Sequence, residues 1–135
     1  MSIFASPRFL RHVLWADAAS CLATGAAQLL LAPRLAAWLQ LPVPLLVGTG
    51  AFLVAYAGLV AWLALREPLP RPAVAALVIG NLGWAVACVA LLASGAVAPN
   101  ALGVAWVLAQ ALCVAVLAEL QWTGLRRAPR VTGWA

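Results

Sequence analysis

The chain has 135 residues, of which 67% are hydrophobic and 8% are charged. A soluble domain carries charge on about a quarter of its residues, so this chain has too little polar surface to cover a water-soluble globule. Four spans of about 20 residues each would cross a bilayer and leave only short connections, which excludes a second folded domain. The composition therefore predicts an integral membrane protein with one transmembrane domain over residues 1–135.

Four apolar runs follow one another along the chain, at residues 13–32, 44–65, 73–94 and 101–122. Basic residues precede the first run as in a signal peptide, but Asp17 interrupts it and no A-x-A site ends it, so we expect an uncleaved span. Prolines stand in all three connections, where helices are interrupted. Because short connections make sequential helices antiparallel neighbours, the predicted fold class is all-α, an up-down antiparallel four-helix membrane bundle.

The net charge of +5 comes from arginine alone, since the chain contains no lysine. The arginines lie beside the apolar runs, which indicates anchoring against anionic lipid headgroups and makes nucleic acid an unexpected partner. One side of the predicted bundle receives only Arg34, and the other receives the remaining seven: Arg8, Arg11, Arg66, Arg71, Arg126, Arg127 and Arg130. Because cytoplasmic segments carry the excess of basic residues, both termini are predicted to be cytoplasmic.

Each predicted span carries polar side chains on one face. Asp17 and Cys21, followed by Thr24 and Gln28, recur at helical spacing on the first span. Counted at about 1.5 Å per residue, one polar side chain of each span reaches a similar depth. These residues and their neighbours form the candidate ligand or ion site: Asp17, Cys21, Tyr56, Asn81, Trp84, Gln110 and Cys113. Two interpretations stay open, namely interhelical hydrogen bonds that stabilise the bundle and a small pocket.

Asp17 is the most informative of these residues. A carboxylate inside a bilayer is costly and by default indicates proton or cation handling. The alternative is that Asp17, only about 6 Å from the predicted helix start, pairs with an arginine near the headgroups. The candidate partners are Arg8, Arg11 and Arg66.

Two further features lie away from the polar faces of the spans. Glu119 lies nine residues after Gln110, which is half a turn of rotation, so it faces away from the polar seam. It is a candidate contact to a partner or a second subunit, with snorkelling as the alternative.

Small residues also form seams that let helix backbones approach closely. We expect these seams to pack inside the monomer: Ala51, Ala55, Gly58, Ala76, Gly80, Gly83 and Ala87.

The chain lacks the residues of the common cofactor and enzyme sites. His12 is the only histidine, which rules out bis-histidine haem ligation within one chain. The three cysteines form no CxxC pair, and no Ser-His-Asp set, GxSxG or phosphate-binding glycine loop is present. We therefore expect no cofactor and no metal, and a membrane enzyme is the class of protein that these residues support least.

Three segments carry a resemblance to a group of small bacterial four-span inner-membrane proteins that have no assigned activity. They are RxVLxxDAxxCxATG at residues 11–25, the Tyr56-Ala57 segment, and VLAQALCVAVLAELQWTGLRR at residues 107–127. This resemblance covers the whole chain and implies a location in the bacterial inner membrane. In plan, the chain also resembles the small multidrug resistance transporters, with Asp17 in the place of their helix-one carboxylate. It departs from them in its arginine bias and in lacking the aromatic and glycine motifs of their later helices.

These observations favour a non-enzymatic accessory or structural subunit of a membrane complex, or a homo-oligomer. The expected partners are the lipid bilayer and either another membrane protein or a second copy of the chain. The alternative is a small proton- or cation-coupled transporter or channel that uses Asp17.

Overall fold

A computed structural model describes residues 3–129 of the chain. Over these residues the chain forms a 3-10 turn, five α-helices and no strand: Ile3–Ala5, then α1 Pro7–Leu30, α2 Ala32–Leu39, α3 Val43–Ala64, α4 Arg71–Ser94 and α5 Ala101–Arg127. Four of the five helices, all but α2, are long and apolar enough to cross a membrane. The all-helical class is therefore confirmed, and the four long helices fit a multi-pass membrane protein. Arg130, one of the tail arginines counted above, lies outside the described residues.

Local signals explain where the helices begin and end. The Ser6 side chain accepts a hydrogen bond from the Arg8 backbone N–H at 3.2 Å and caps α1. Asn100 caps α5 in the same way, accepting from the Gly103 N–H at 2.8 Å. Gly95, with a φ of 72°, ends α4 in the left-handed conformation that glycine adopts without strain. Prolines occupy the first turn of the next three helices, where no backbone donor is needed: Pro33, Pro44 and Pro72.

The first connection contains a short helix, α2, that the sequence analysis did not predict. Its buried face includes Leu35 and Leu39, which join an apolar cluster at the end of the molecule opposite the N-terminus of α1. The end of α2 lies directly on the start of α5. Asn100 Nδ2 donates to the Trp38 carbonyl at 2.8 Å, and a Cβ atom at Gly103 would collide with the Leu39 carbonyl oxygen. Gly103 is therefore the residue that lets the two helices touch.

Helix α1 packs chiefly against α3 and also contacts α5, which in turn packs chiefly against α4. The closest approach of α1 and α3 occurs at two glycines. A Cβ atom at Gly25 would lie 2.8 Å from the Gly50 carbonyl oxygen, and one at Gly50 would lie 2.9 Å from Gln28 Cβ. Since neither residue has a side chain, the two backbones approach as closely as in other small-residue helix crossings.

Six arginines gather at one end of the structure, which we call the arginine end: Arg8, Arg11, Arg66, Arg71, Arg126 and Arg127. The start of α1 is joined there to the segment after α3, because the Arg11 guanidinium lies 2.8 Å from Glu67 Oε1. The start of α4 is joined to the end of α5, because Arg71 donates to the Leu125 carbonyl at 2.6 Å. Arg34 lies apart from this group, on α2.

The seams of small residues do not pack inside the monomer, so that expectation is wrong. All seven residues are exposed: Ala51, Ala55 and Gly58 on α3, and Ala76, Gly80, Gly83 and Ala87 on α4. A Cβ atom at Gly58, Gly80 or Gly83 would meet nothing within 4 Å. The physical reason is that small residues permit close packing without deciding which face of a helix is buried. On α3 and α4 the larger apolar and polar residues of the opposite face make the intrachain contacts.

The glycine crossing makes a direct prediction about stability. Replacing Gly25 with alanine should lower the free energy of unfolding by about 1–3 kcal/mol, because the new Cβ atom meets a backbone oxygen that cannot rotate away. Gly48→Ala is the matched control on α3, since a Cβ atom there meets nothing within 4 Å. Unfolding of both variants by sodium dodecyl sulfate in mixed micelles measures the difference. Equal stability of the two variants would contradict the assigned crossing.

Candidate functional site

The Asp17 carboxylate is completely buried, with an exposed fraction of 0%. Its Oδ2 atom accepts hydrogen bonds from Gln121 Nε2 at 2.6 Å and from Asn81 Nδ2 at 3.0 Å. Its Oδ1 atom accepts a weaker bond from the Cys21 thiol at 3.5 Å. Every contact offers a donor to the carboxylate, which is the arrangement that a buried acceptor requires.

Asn81 extends these contacts to the remaining long helix. Its Nδ2 atom lies 3.2 Å from Gln121 Oε1, and its Oδ1 atom accepts from the Tyr56 hydroxyl at 3.2 Å. Asp17 and Cys21 lie on α1, Tyr56 on α3, Asn81 on α4 and Gln121 on α5, so all four long helices contribute. We call these five residues the Asp17 network.

Pairing of Asp17 with an arginine does not occur among residues 3–129, where no guanidinium nitrogen lies within 4.0 Å of the carboxylate. Arg11 instead binds Glu67, and its second nitrogen donates to the Arg66 carbonyl at 3.3 Å. A buried apolar cluster lies between Asp17 and the arginine end. It includes Ala18, next to Asp17, and Leu10, near the arginines, together with Leu14, Val60 and Val74. The environment of Asp17 is thus one of amides and a thiol inside the protein.

The other predicted site residues surround the network without joining it. Trp84 stacks on Phe52 with ring centroids 5.5 Å apart and an interplanar angle of 6°. Gln110 is half-buried, and its side chain makes no hydrogen bond within the described part of the chain. Cys113 is exposed. The structure therefore brings together Asp17, Cys21, Tyr56 and Asn81 as hydrogen-bonded neighbours, and leaves Trp84, Gln110 and Cys113 outside them.

Three small cavities follow the polar seam, and all three are lined by Trp84. The first, about 70 Å³, lies beside Tyr56 and Asn81. The second, about 30 Å³, and the third, about 50 Å³, both touch Gln110. The third also touches Trp106, whose indole N–H is buried without a hydrogen-bond partner among the described residues. The three cavities are lined mostly by apolar atoms, and each is large enough to hold water beside the polar side chains that it touches.

Gln121 is the member of the Asp17 network that the sequence analysis missed. It lies eleven residues after Gln110, three turns along the same face of α5, so the spacing that singled out Gln110 applies to it as well. The predicted span ended at residue 122, which would have left Gln121 at the interface. Because α5 continues to Arg127, Gln121 lies about 9 Å inside the helix end and is fully buried.

A second polar contact lies further along the α1–α3 pair. The Thr49 hydroxyl lies 2.9 Å from Gln28 Oε1, and Gln28 is almost completely buried. Gln28 belongs to the helical stripe of Asp17 and Cys21, so this face of α1 is polar over three turns. Glu119, the predicted partner contact, is exposed on α5.

Within residues 3–129, no group of three or more His, Cys, Asp or Glu side chains is arranged to hold a metal ion.

No protein-family model matches the chain, and neither the curated proteins nor the solved structures contain a match. The interpretation of the site therefore rests on its own geometry.

The network predicts a specific cost for losing Gln121. Gln121→Met keeps the size of the side chain but removes the shortest donor to Asp17. We expect the free energy of unfolding to fall by about 1–2 kcal/mol, above the ~0.6 kcal/mol of an average interhelical hydrogen bond, because the acceptor is a buried carboxylate. Gln110→Met is the control on the same face of the same helix, and it should change stability little. If both variants unfolded alike, Gln121 would not be supporting Asp17.

Proposed function

We propose that the chain is a multi-pass protein of the bacterial inner membrane, folded as an up-down antiparallel four-helix bundle with both termini in the cytoplasm. The bundle is supported by contacts at both ends of α1, where Arg11 meets Glu67 and Gln28 meets Thr49. The orientation is supported by the gathering of arginines at one end, since basic residues concentrate on the cytoplasmic side.

Within that membrane, we infer that the protein acts as a non-enzymatic accessory or structural subunit that associates laterally with other membrane helices, either in a larger complex or in a second copy of the chain. The observation that carries this proposal is the outward seam on α4. Ala76, Gly80, Gly83 and Ala87 recur at helical spacing and all are exposed. Small residues at this spacing let two helix backbones approach within the bilayer, where van der Waals packing drives association.

The position of Glu119 supports the same proposal. It is exposed on α5, about 12 Å from the end of that helix at Arg127. A carboxylate facing hydrocarbon is costly, and a donor from a neighbouring helix would offset that cost. In this proposal the Asp17 network holds the four helices of one subunit together, and the outer faces meet the partner.

The seam can be tested by adding bulk to it. Ala87→Ile and Gly83→Ile should abolish the association, because a branched side chain separates two backbones that meet there. Ala93→Ile is the matched control, since Ala93 is an exposed alanine on the same helix but about a third of a turn away from the seam. Native mass spectrometry of each variant, extracted gently from its own membranes, measures the assembly. An assembly that survives Ala87→Ile and Gly83→Ile unchanged would remove the seam from the proposal.

A small proton- or cation-coupled transporter that uses Asp17 is the second candidate, and the three cavities favour it. They run along the seam from Trp106 to Asn81, which is hydrogen-bonded to Asp17. In this candidate, water in the cavities would carry protons between the carboxylate and the end opposite the arginines.

The transporter candidate predicts that one carboxylate is essential and another is not. In proteoliposomes that contain a pH-sensitive dye, Asp17→Asn should abolish proton flux driven by a potassium diffusion potential, since the amide cannot carry the proton. Glu119→Gln, which removes the other carboxyl group of the long helices, should leave the flux unchanged. Absence of flux in the unaltered protein, or equal flux in Asp17→Asn, would eliminate this candidate, and circular dichroism would verify that each variant is folded.

A further inference from the structure

Two large cavities lie at the arginine end and take no part in the Asp17 network. They are two clefts on either side of the Arg11–Glu67 ion pair, with volumes of about 480 and 400 Å³. Each is several times larger than the three cavities along the polar seam described above, which measure about 50, 30 and 70 Å³. We call them the large cleft and the basic cleft.

The basic cleft is lined by Arg8, Arg11, His12 and Glu67. Two guanidiniums and an imidazole thus face one carboxylate, which is already engaged by Arg11 at 2.8 Å. The Arg8 side chain makes no ion pair or hydrogen bond with any other residue between 3 and 129. The cleft therefore holds an excess of positive charge and an unneutralised guanidinium.

The large cleft shares Arg11 and Glu67 with the basic cleft but has an apolar wall. Leu69, Val74 and Leu125 contribute to that wall. The guanidinium of Arg71, also in this cleft, donates to the backbone carbonyls of Leu125 and Ala128 at 2.6 and 3.4 Å, so no carboxylate neutralises it among the described residues. A basic surface thus adjoins an apolar one across a single ion pair.

We propose that these two clefts form a binding site for an anionic phospholipid. The phosphate lies against the guanidiniums of Arg8 and Arg11, and the glycerol-ester part of the lipid lies on the apolar wall of the large cleft. Charge complementarity identifies the headgroup, because guanidinium binds phosphate through paired hydrogen bonds. Position identifies the source: in the orientation proposed above, on which this inference rests, both clefts lie at the cytoplasmic side, where basic pockets between membrane helices bind anionic lipid headgroups.

The test compares retention of phosphatidylglycerol by the detergent-purified full chain in native mass spectrometry. We expect Arg8→Gln and Arg11→Gln each to weaken retention about fivefold, since each arginine near a membrane surface contributes about that factor. Arg34→Gln is the matched control, because it removes an arginine from α2, away from both clefts. Arg8→Gln keeps the test valid should Arg11→Gln fail to fold, since Arg8 makes no side-chain bond within the described residues.

Two further probes distinguish the source of the phosphate. Phosphatidylcholine, whose headgroup has no net charge, should be retained less than phosphatidylglycerol by the unaltered protein. Inorganic phosphate at millimolar concentration should not raise the melting temperature as phosphatidylglycerol does. Equal retention of the two lipids, equal stabilisation by inorganic phosphate, or an equal loss in Arg34→Gln would each overturn the proposal.

Discussion

The buried carboxylate of Asp17 constrains the rest of the structure. Because it only accepts hydrogen bonds, its neighbours must point donors at it, and those donors come from Asn81 on α4 and Gln121 on α5. A rotation of either helix by one residue, about 100°, would take its amide away and leave the carboxylate unsatisfied. Apolar contacts do not impose such a register between membrane helices, since lipid tails are as apolar as leucine. The network therefore specifies how the helices are rotated, whereas the apolar residues specify only that they are helices of sufficient length.

Helix α1 makes specific contacts with other parts of the chain along its whole length. Arg11 holds the segment after α3, Asp17 holds α4 and α5, and Gly25 lies against the backbone of α3. Each of these contacts uses a different physical principle, namely charge pairing, hydrogen bonding and the absence of a side chain. Because α1 contacts both α3 and α5, it links the two closely packed helix pairs, and changes on its inner face should be felt across the whole chain.

The sequence predicted the four long helices and most of the Asp17 network, because both follow from spacing along single helices. Asp17, Cys21, Tyr56 and Asn81 were singled out by depth and face, and the structure joins them by hydrogen bonds. Gln121 was missed because the end of a helix is set by capping, which hydropathy does not report. The helix α2 was missed because Pro33 indicated the end of the first span, whereas a proline also fits the first turn of a new helix, which here begins at Ala32. The outward direction of the glycine seams depends on packing between helices, which no single span reveals.

The two outward faces of α4 differ in the size of their side chains. One face carries large apolar residues suited to lipid. Among them are Ile79 and Val86, whose exposed fractions are 72% and 69%. The adjacent face carries Gly80 and Gly83, and each glycine in a helix interior costs about 1 kcal/mol relative to alanine. A Cβ atom at either position would meet no other part of the described chain within 4 Å, so packing inside the monomer does not require glycine there. In the assembly proposed above, a helix that approaches the bare backbone of α4 would offset that cost through close packing.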